Sequence, residues 1–287
     1  MQNKIDLIKK NKSVALLAPT FAIDFKYPNI IGMLKHLGFD KVTELTYGAR
    51  MVNWSYVNYI KENPDQKLYI ASPCPTVVAF IQSQYPDLVK YLVPVDSPLV
   101  AMAKISKKHH PDHKVVFISP CYAKQNIEAP KYPEYIDEVI TLKELVEMFD
   151  SLNIKEEKFN KKYSFDFFIR EYTKIYPISG GLAKTSHISQ FFNDDEILIA
   201  DGIENIKKAF DDVMAGTSKY RFMDVLNCPG GCIGGPAIYH QNISIDQRRE
   251  IVKDYTSDSS KENMGKTHGK IDYSEGIDFS TKFKNCE

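Results

Sequence analysis

The chain has 287 residues, 43% of them hydrophobic and 26% charged, enough to bury one large core or two lobes. Thirty-seven Lys and Arg balance thirty-seven Asp and Glu, so no overall field draws nucleic acid or a membrane surface, and no apolar run is long enough to span a bilayer. The opening MQNKIDLIKKNK lacks the apolar centre of a signal peptide, and the expectation is a cytoplasmic protein with no nucleic-acid and no membrane partner.

Strand-like runs rich in Val, Ile, Leu and Tyr alternate along the chain with runs whose apolar residues recur at helical spacing. In order, SVALLAP (13–19) reads as a strand, YPNIIGMLKHLG (27–38) as a helix and KVTELTY (41–47) as a strand. ARMVNWSYVNYIKEN (49–63) is helical, KLYIASP (67–73) a strand, and PTVVAFIQSQY (75–85) and SPLVAMAKISKK (97–108) are helical again. KVVFISP (114–120) and EYIDEVIT (134–141) are strands, TLKELVEMFDSL (141–152) a helix, EILIADG (196–202) a strand and NIKKAFDDVMAG (205–216) a helix. This alternation predicts an α/β fold of two lobes, each a small, mainly parallel sheet flanked by helices, with a site in the cleft between them. The expected division places residues 1–65 plus 165–243 in lobe 1 and 66–164 in lobe 2, with the charged stretch 156–162 crossing between them. Residues 244–287, rich in Ser, Asp, Lys and Gly, read as a polar tail.

The five cysteines, Cys74, Cys121, Cys228, Cys232 and Cys286, are odd in number and widely spaced, which is no disulfide framework for a reducing compartment. Two of them end matching strands: LYIASPC reaches Cys74 and VVFISPC reaches Cys121, so each proline stops the ladder and each thiol lands in the following turn. Two more sit in LNCPGGCIGGP (226–236), where Pro229 suits the first turn of a helix and a four-residue step puts both sulfurs on one face. The glycines leave backbone amides unobstructed. Four convergent thiolates suit a tetrahedral zinc ion or an iron–sulfur cluster, and ligands drawn from three distant segments fit the larger cluster better. Cys286 reads as an idle thiol, and His109, His110 and His113 as a solvated loop.

Together SPCPTVVAFIQSQYPDL, SPCYAK and DVLNCPGGCIGG, with GFDKV (38–42) and ISGGLAKT (178–185), resemble the cluster-binding motifs and surroundings of the catalytic domain of the [FeFe]-hydrogenase (iron-only hydrogenase) large subunit. The resemblance covers about residues 13–240. It implies that Cys74, Cys121, Cys228 and Cys232 bind one [4Fe-4S] cluster. It further implies that Cys232 bridges to a diiron subsite with CO and cyanide ligands, that Lys124 hydrogen-bonds a cyanide, and that Ala18, Pro19 and Thr20 line the same pocket. The implied catalytic residues are Lys124 and Cys232, and the implied substrates are H2 and protons.

The sequence departs from the family pattern where protons would travel. Pro73 stands where a proton-donating cysteine is usual, and residues 51–60 hold none of the family's relay carboxylates. Ser119 and Leu226 replace pocket methionines and Leu99 a glutamine. Ile127 occupies the place of a glutamate, with Glu128 one position off register, and the glycine run after Cys232 stops at Pro236. These changes leave the thiols intact and remove the proton path. The expectation is therefore a slow or sensory hydrogenase, or a non-catalytic [4Fe-4S] redox or assembly-factor-like protein without the diiron subsite. Either exchanges electrons with a separate carrier such as a ferredoxin, or contacts a signalling partner.

Overall fold

A computed structural model describes residues 1–159, 163–166, 172–260 and 271–284. In chain order the elements are α1 (Gln2–Lys10), β1 (Ser13–Leu17), α2 (Asn29–Leu37), β2 (Lys41–Glu44), α3 (Thr46–Glu62), β3 (Tyr69–Ile70), α4 (Pro75–Gln84) and α5 (Pro98–His109). They continue with β4 (Lys114–Ser119), β5 (Glu138–Thr141), α6 (Leu142–Ser151), α7 (Gly181–Thr185), β6 (Ile197–Asp201), α8 (Ile203–Met214), β7 (Phe222–Leu226) and α9 (Ile245–Ser260). The strands form two parallel sheets with no strand in common, ordered β2-β1-β4-β5 and β3-β7-β6.

The first sheet follows from its apolar runs. Every residue of β1 and all but the first of β4 are buried, as central strands covered on both faces require. Alternate side chains serve two cores. Val14, Leu16, Val115 and Phe117 face α3 and α5, while Ala15, Leu17, Val116 and Ile118 face α1, α2, α6 and α9. In the second sheet Ile70, Met223 and Val225 pack under α4 and α8, and Tyr69 and Phe222 turn into the α3/α5 core. That shared core is the seam between the sheets. Thr141 starts α6 with a capping box: its Oγ1 accepts from Glu144 N at 3.1 Å, and a Glu144 carboxylate oxygen accepts from Thr141 N at 2.7 Å. Such a cap contributes about 1 kcal/mol.

The two-sheet α/β architecture is as expected, but the strands are shared out differently. β1 and β2 pair with β4 and β5 rather than with the returning segment, and β3 pairs with β7. The segment 66–164 is thus divided between the sheets. β1 and β4, buried almost throughout, pair along five registers, whereas β3 has two residues and leans on β7. β7 escaped sequence reading because it runs straight into the cysteine motif, and 134–141 shortens to β5.

The region read as a polar tail also carries structure. In α9, Val252 and Tyr255 enter the α1/α2/α6 core, and Arg248 is 3% exposed. The Arg248 guanidinium donates to the carbonyls of Ile233 at 3.0 Å, Ile243 at 3.0 Å and His240 at 2.9 Å, holding the chain that leaves the cysteine turn. Residues 271–284 return across the seam, where Asp96 N donates to Phe279 O at 2.8 Å and Thr281 N to Pro94 O at 3.0 Å. Of the charged crossing, 156–158 form a 3-10 turn and 160–162 lie outside the described residues, as does Cys286.

Candidate metal centre

The candidate thiols hang from the carboxyl ends of parallel strands, where α/β folds gather their functional groups. Cys74 follows β3 as the N-cap residue of α4, with Pro75 in the first helical position. Cys121 follows β4 in a turn fixed by Ser119, whose Oγ accepts from Cys121 N and donates to Cys121 O, both at 3.0 Å. Cys228 and Cys232 follow β7. They are not on a helical turn, as their spacing suggested. Gly230 and Gly231 adopt φ of 77° and 92°, Gly231 N donates to Cys228 O at 2.9 Å, and only Cys232–Gly234 forms a short 3-10 turn. A side chain at Gly231 would stand 2.6 Å from Pro177 O and one at Gly235 2.4 Å from Pro120 O, so the glycines let three backbone segments converge here.

All four cysteines line one cavity of about 100 Å³, together with Ala18, Pro19, Thr20, Leu99, Lys124 and Leu226. Burial pushes the Cys228 thiol up to about 11, with the neighbouring Cys121 and Cys74 adding to the effect. Burial likewise raises Cys121, and it holds Cys232 well above the usual thiol range with further contributions from the other three thiols. Three thiols raised in this way become thiolates together only if a cationic group replaces their protons. Among the described residues no three His, Cys, Asp or Glu side chains are grouped as a single-ion site. The donor set fits a body larger than one ion. The Thr20 hydroxyl adds to this fit: its Oγ1 is buried at the cavity without a protein partner.

Lys124 opens a π-helical turn, Lys124–Glu128. Its ammonium donates to Pro73 O at 3.0 Å and to Glu128 Oε2 at 2.6 Å, with both side chains largely buried. The wider π turn takes up one extra residue. Glu128, one place off the family's register, meets the lysine at i,i+4 spacing. The histidines take no part: His109 bonds the Tyr273 carbonyl, and His110 lies against His113.

Sequence reasoning missed Asp224 on β7, whose only signal was a lone carboxylate inside an apolar run. It is 1% exposed, lines the cavity, and accepts from Ala183 N at 2.9 Å at the start of α7. Burial pushes its carboxyl up to about 6, against the lowering effect of the Ala183 and Leu182 amides. Because the folded value exceeds the unfolded one of 3.8, its contribution is complete below about pH 4 and is lost as pH rises through 6. Denaturant unfolding of the metal-free chain is expected to show about 3 kcal/mol less stability from this group at pH 7 than at pH 4. In Asp224→Asn that part of the pH dependence should disappear.

Two parallel sheets with strand-end thiols around one cavity at their seam define an α/β protein with a candidate metal centre. The model of the iron-only hydrogenase large subunit, C-terminal domain, matches residues 11–236, and the chain belongs to that family. It is 25% identical over 270 residues to iron hydrogenase 1 of Clostridium pasteurianum, covering 77% of this chain and 47% of that protein. It is 24% identical over 259 residues to the periplasmic [Fe] hydrogenase large subunit of Nitratidesulfovibrio vulgaris, covering 72% and 61%. The chain thus spans about half to three-fifths of the length of these relatives. A variant of [FeFe]-hydrogenase HydA1 from Chlamydomonas reinhardtii superposes with a TM-score of 0.68 at 16% identity, covering 99% of this chain and 98% of that one, which shows a shared fold. No helix among the described residues is long and apolar enough to cross a membrane.

Proposed function

We propose that this protein binds one [4Fe-4S] cluster through Cys74, Cys121, Cys228 and Cys232. A diiron subsite would be held beside it at Cys232 and would supply slow or sensory interconversion of H2 with protons and electrons. The convergence of the four thiols on one cavity carries the reading. Ala18, Pro19, Thr20, Leu99 and Phe117 line the same cavity as the cysteines, so a second group beside the cluster would lie against them. When bound, the iron group stores electrons and offers the site at which hydrogen is formed or split.

The chain's own residues set the environment of that chemistry. The cavity walls are almost wholly apolar and exclude water, while Lys124 and the Thr20 hydroxyl supply hydrogen-bond donors at its edge. Lys124 divides its ammonium between Glu128 and the Pro73 carbonyl and keeps its charge at the cavity wall. Pro73 offers no proton, and a missing donor of this kind costs about two to four orders of magnitude in rate. Electrons arrive through a separate carrier such as a ferredoxin, or the protein's state is read by a signalling partner, in a reducing cytoplasm.

One observation favours a second reading. Pro73, Leu99 and Leu226 present apolar surface to the cavity, and a cluster-only protein without the diiron subsite would tolerate all three. Infrared spectroscopy on protein made anaerobically alongside the diiron maturation machinery decides between the two. CO and cyanide bands are expected; their absence with iron and sulfide bound establishes the cluster-only form. Protein that takes up no iron overturns both.

A further inference from the structure

A second unpartnered hydroxyl belongs to a residue that lines the shared cavity. That residue is Tyr176, and its phenolic OH is buried with no hydrogen-bond partner. A buried hydroxyl left unpaired destabilises a fold, and phenylalanine would fill the same space without that cost. Three features fix the ring's place. Tyr176 N donates to Thr173 O at 3.0 Å, Ser179 N donates to Gly230 O at 3.0 Å, and Ile178 pairs with Gly231 in an isolated bridge. On its other side the Tyr176 backbone packs against Gly181, where a Cβ would come within 2.8 Å of Tyr176 Cα. The segment carrying the hydroxyl is therefore stapled to the turn carrying Cys228 and Cys232.

We propose that the Tyr176 hydroxyl is a positioning donor, giving a hydrogen bond to an anionic acceptor atom of the iron group held beside Cys232. This rests on the function proposed above. The acceptor is either an inorganic sulfide of the cluster or a ligand atom on the adjoining iron subsite. Both are anionic, and both accept from a phenol. The bond moves no electrons and breaks no covalent bond. It withdraws negative charge from its acceptor, so it raises the reduction potential of a cluster whose sulfide it touches.

Tyr176→Phe tests this, since it removes one oxygen and keeps the ring. Thermal unfolding of the metal-free variant should give a melting temperature equal to or above that of the parent; a hydroxyl with a merely structural role would give a lower one. Parent and variant are then loaded with the cluster alone and titrated electrochemically, and loaded with the complete group and examined in the infrared. A downward potential shift in the cluster-only form identifies a sulfide as acceptor. An unchanged potential with shifted CO or cyanide bands in the complete form identifies a ligand on the subsite. Equal iron content with unchanged potential and unchanged bands overturns the inference and leaves the proposed function standing. A parent chain that binds no iron overturns both.

Discussion

Cys228→Ser protein, prepared without oxygen, is expected to retain little of the iron that the parent binds, with affinity for the group lowered by about a hundredfold or more. The argument is one of acidity and burial. A thiol buried enough to be pushed up to about 11 still ionises against a cation, whereas a serine alcohol in the same apolar surroundings does not. The remaining sulfurs, on β3, β4 and the same turn, leave one corner of the site without an anion. Cys121→Ser should behave alike, because its turn is held by Ser119 and not by the thiol. Iron and sulfide analysis measures the loss, and Cys286→Ser, which changes a thiol outside the motifs, should leave iron binding intact. Undiminished iron in Cys121→Ser or Cys228→Ser would remove the basis for the cluster assignment.

The second large effect is expected at Gly231. Alanine there would be held at φ of 92°, with its Cβ 2.6 Å from Pro177 O and 2.7 Å from Ser179 N. With ψ of −155° the backbone lies in a region essentially closed to any residue but glycine, which costs about 1–2 kcal/mol, and forcing the 177–179 segment away costs about 1–3 kcal/mol more. Gly231→Ala should therefore lower the unfolding free energy of the metal-free chain by about 2–5 kcal/mol and displace both thiols of the turn. Gly216→Ala is the control. Its φ is 74°, yet nothing lies within 4 Å of the new carbon, so only the conformational cost of about 1–2 kcal/mol should appear. Urea midpoints compare the two, and similar losses in both would show that the close approach at Gly231 carries no energy.

The elements were largely legible because burial imposes periodicity, and the two SPC strand ends could be read because proline stops a ladder wherever it falls. Partnership was not legible. Choosing β4 over β6 as the neighbour of β1 depends on the length of mutual registers and on which helices cover the faces, which local spacing does not encode. In the turn, CPGGC has the spacing of a helix and the glycines of a loop, and the close approach of Pro177 decides for the loop. The Lys124–Glu128 pair stands at ordinary i,i+4 spacing and was passed over because the family pattern placed the glutamate at Ile127. α9 was missed because Val252 and Tyr255 are its main buried anchors within a polar sequence, and α1 because only Ile5 and Ile8 mark its inner face.

Cys121 hangs from the four-stranded sheet, while Cys74, Cys228 and Cys232 hang from the three-stranded one. Whatever those sulfurs grip acts as a rivet between halves that share no strand, and binding only to the folded chain strengthens that joint in proportion to supply. If the proposed cluster binds, a copy that never receives it would keep a weaker joint and open there more often. The cell's abundance of finished protein would then follow its provision of iron and sulfide, with no separate sensor needed to discard the empty copies.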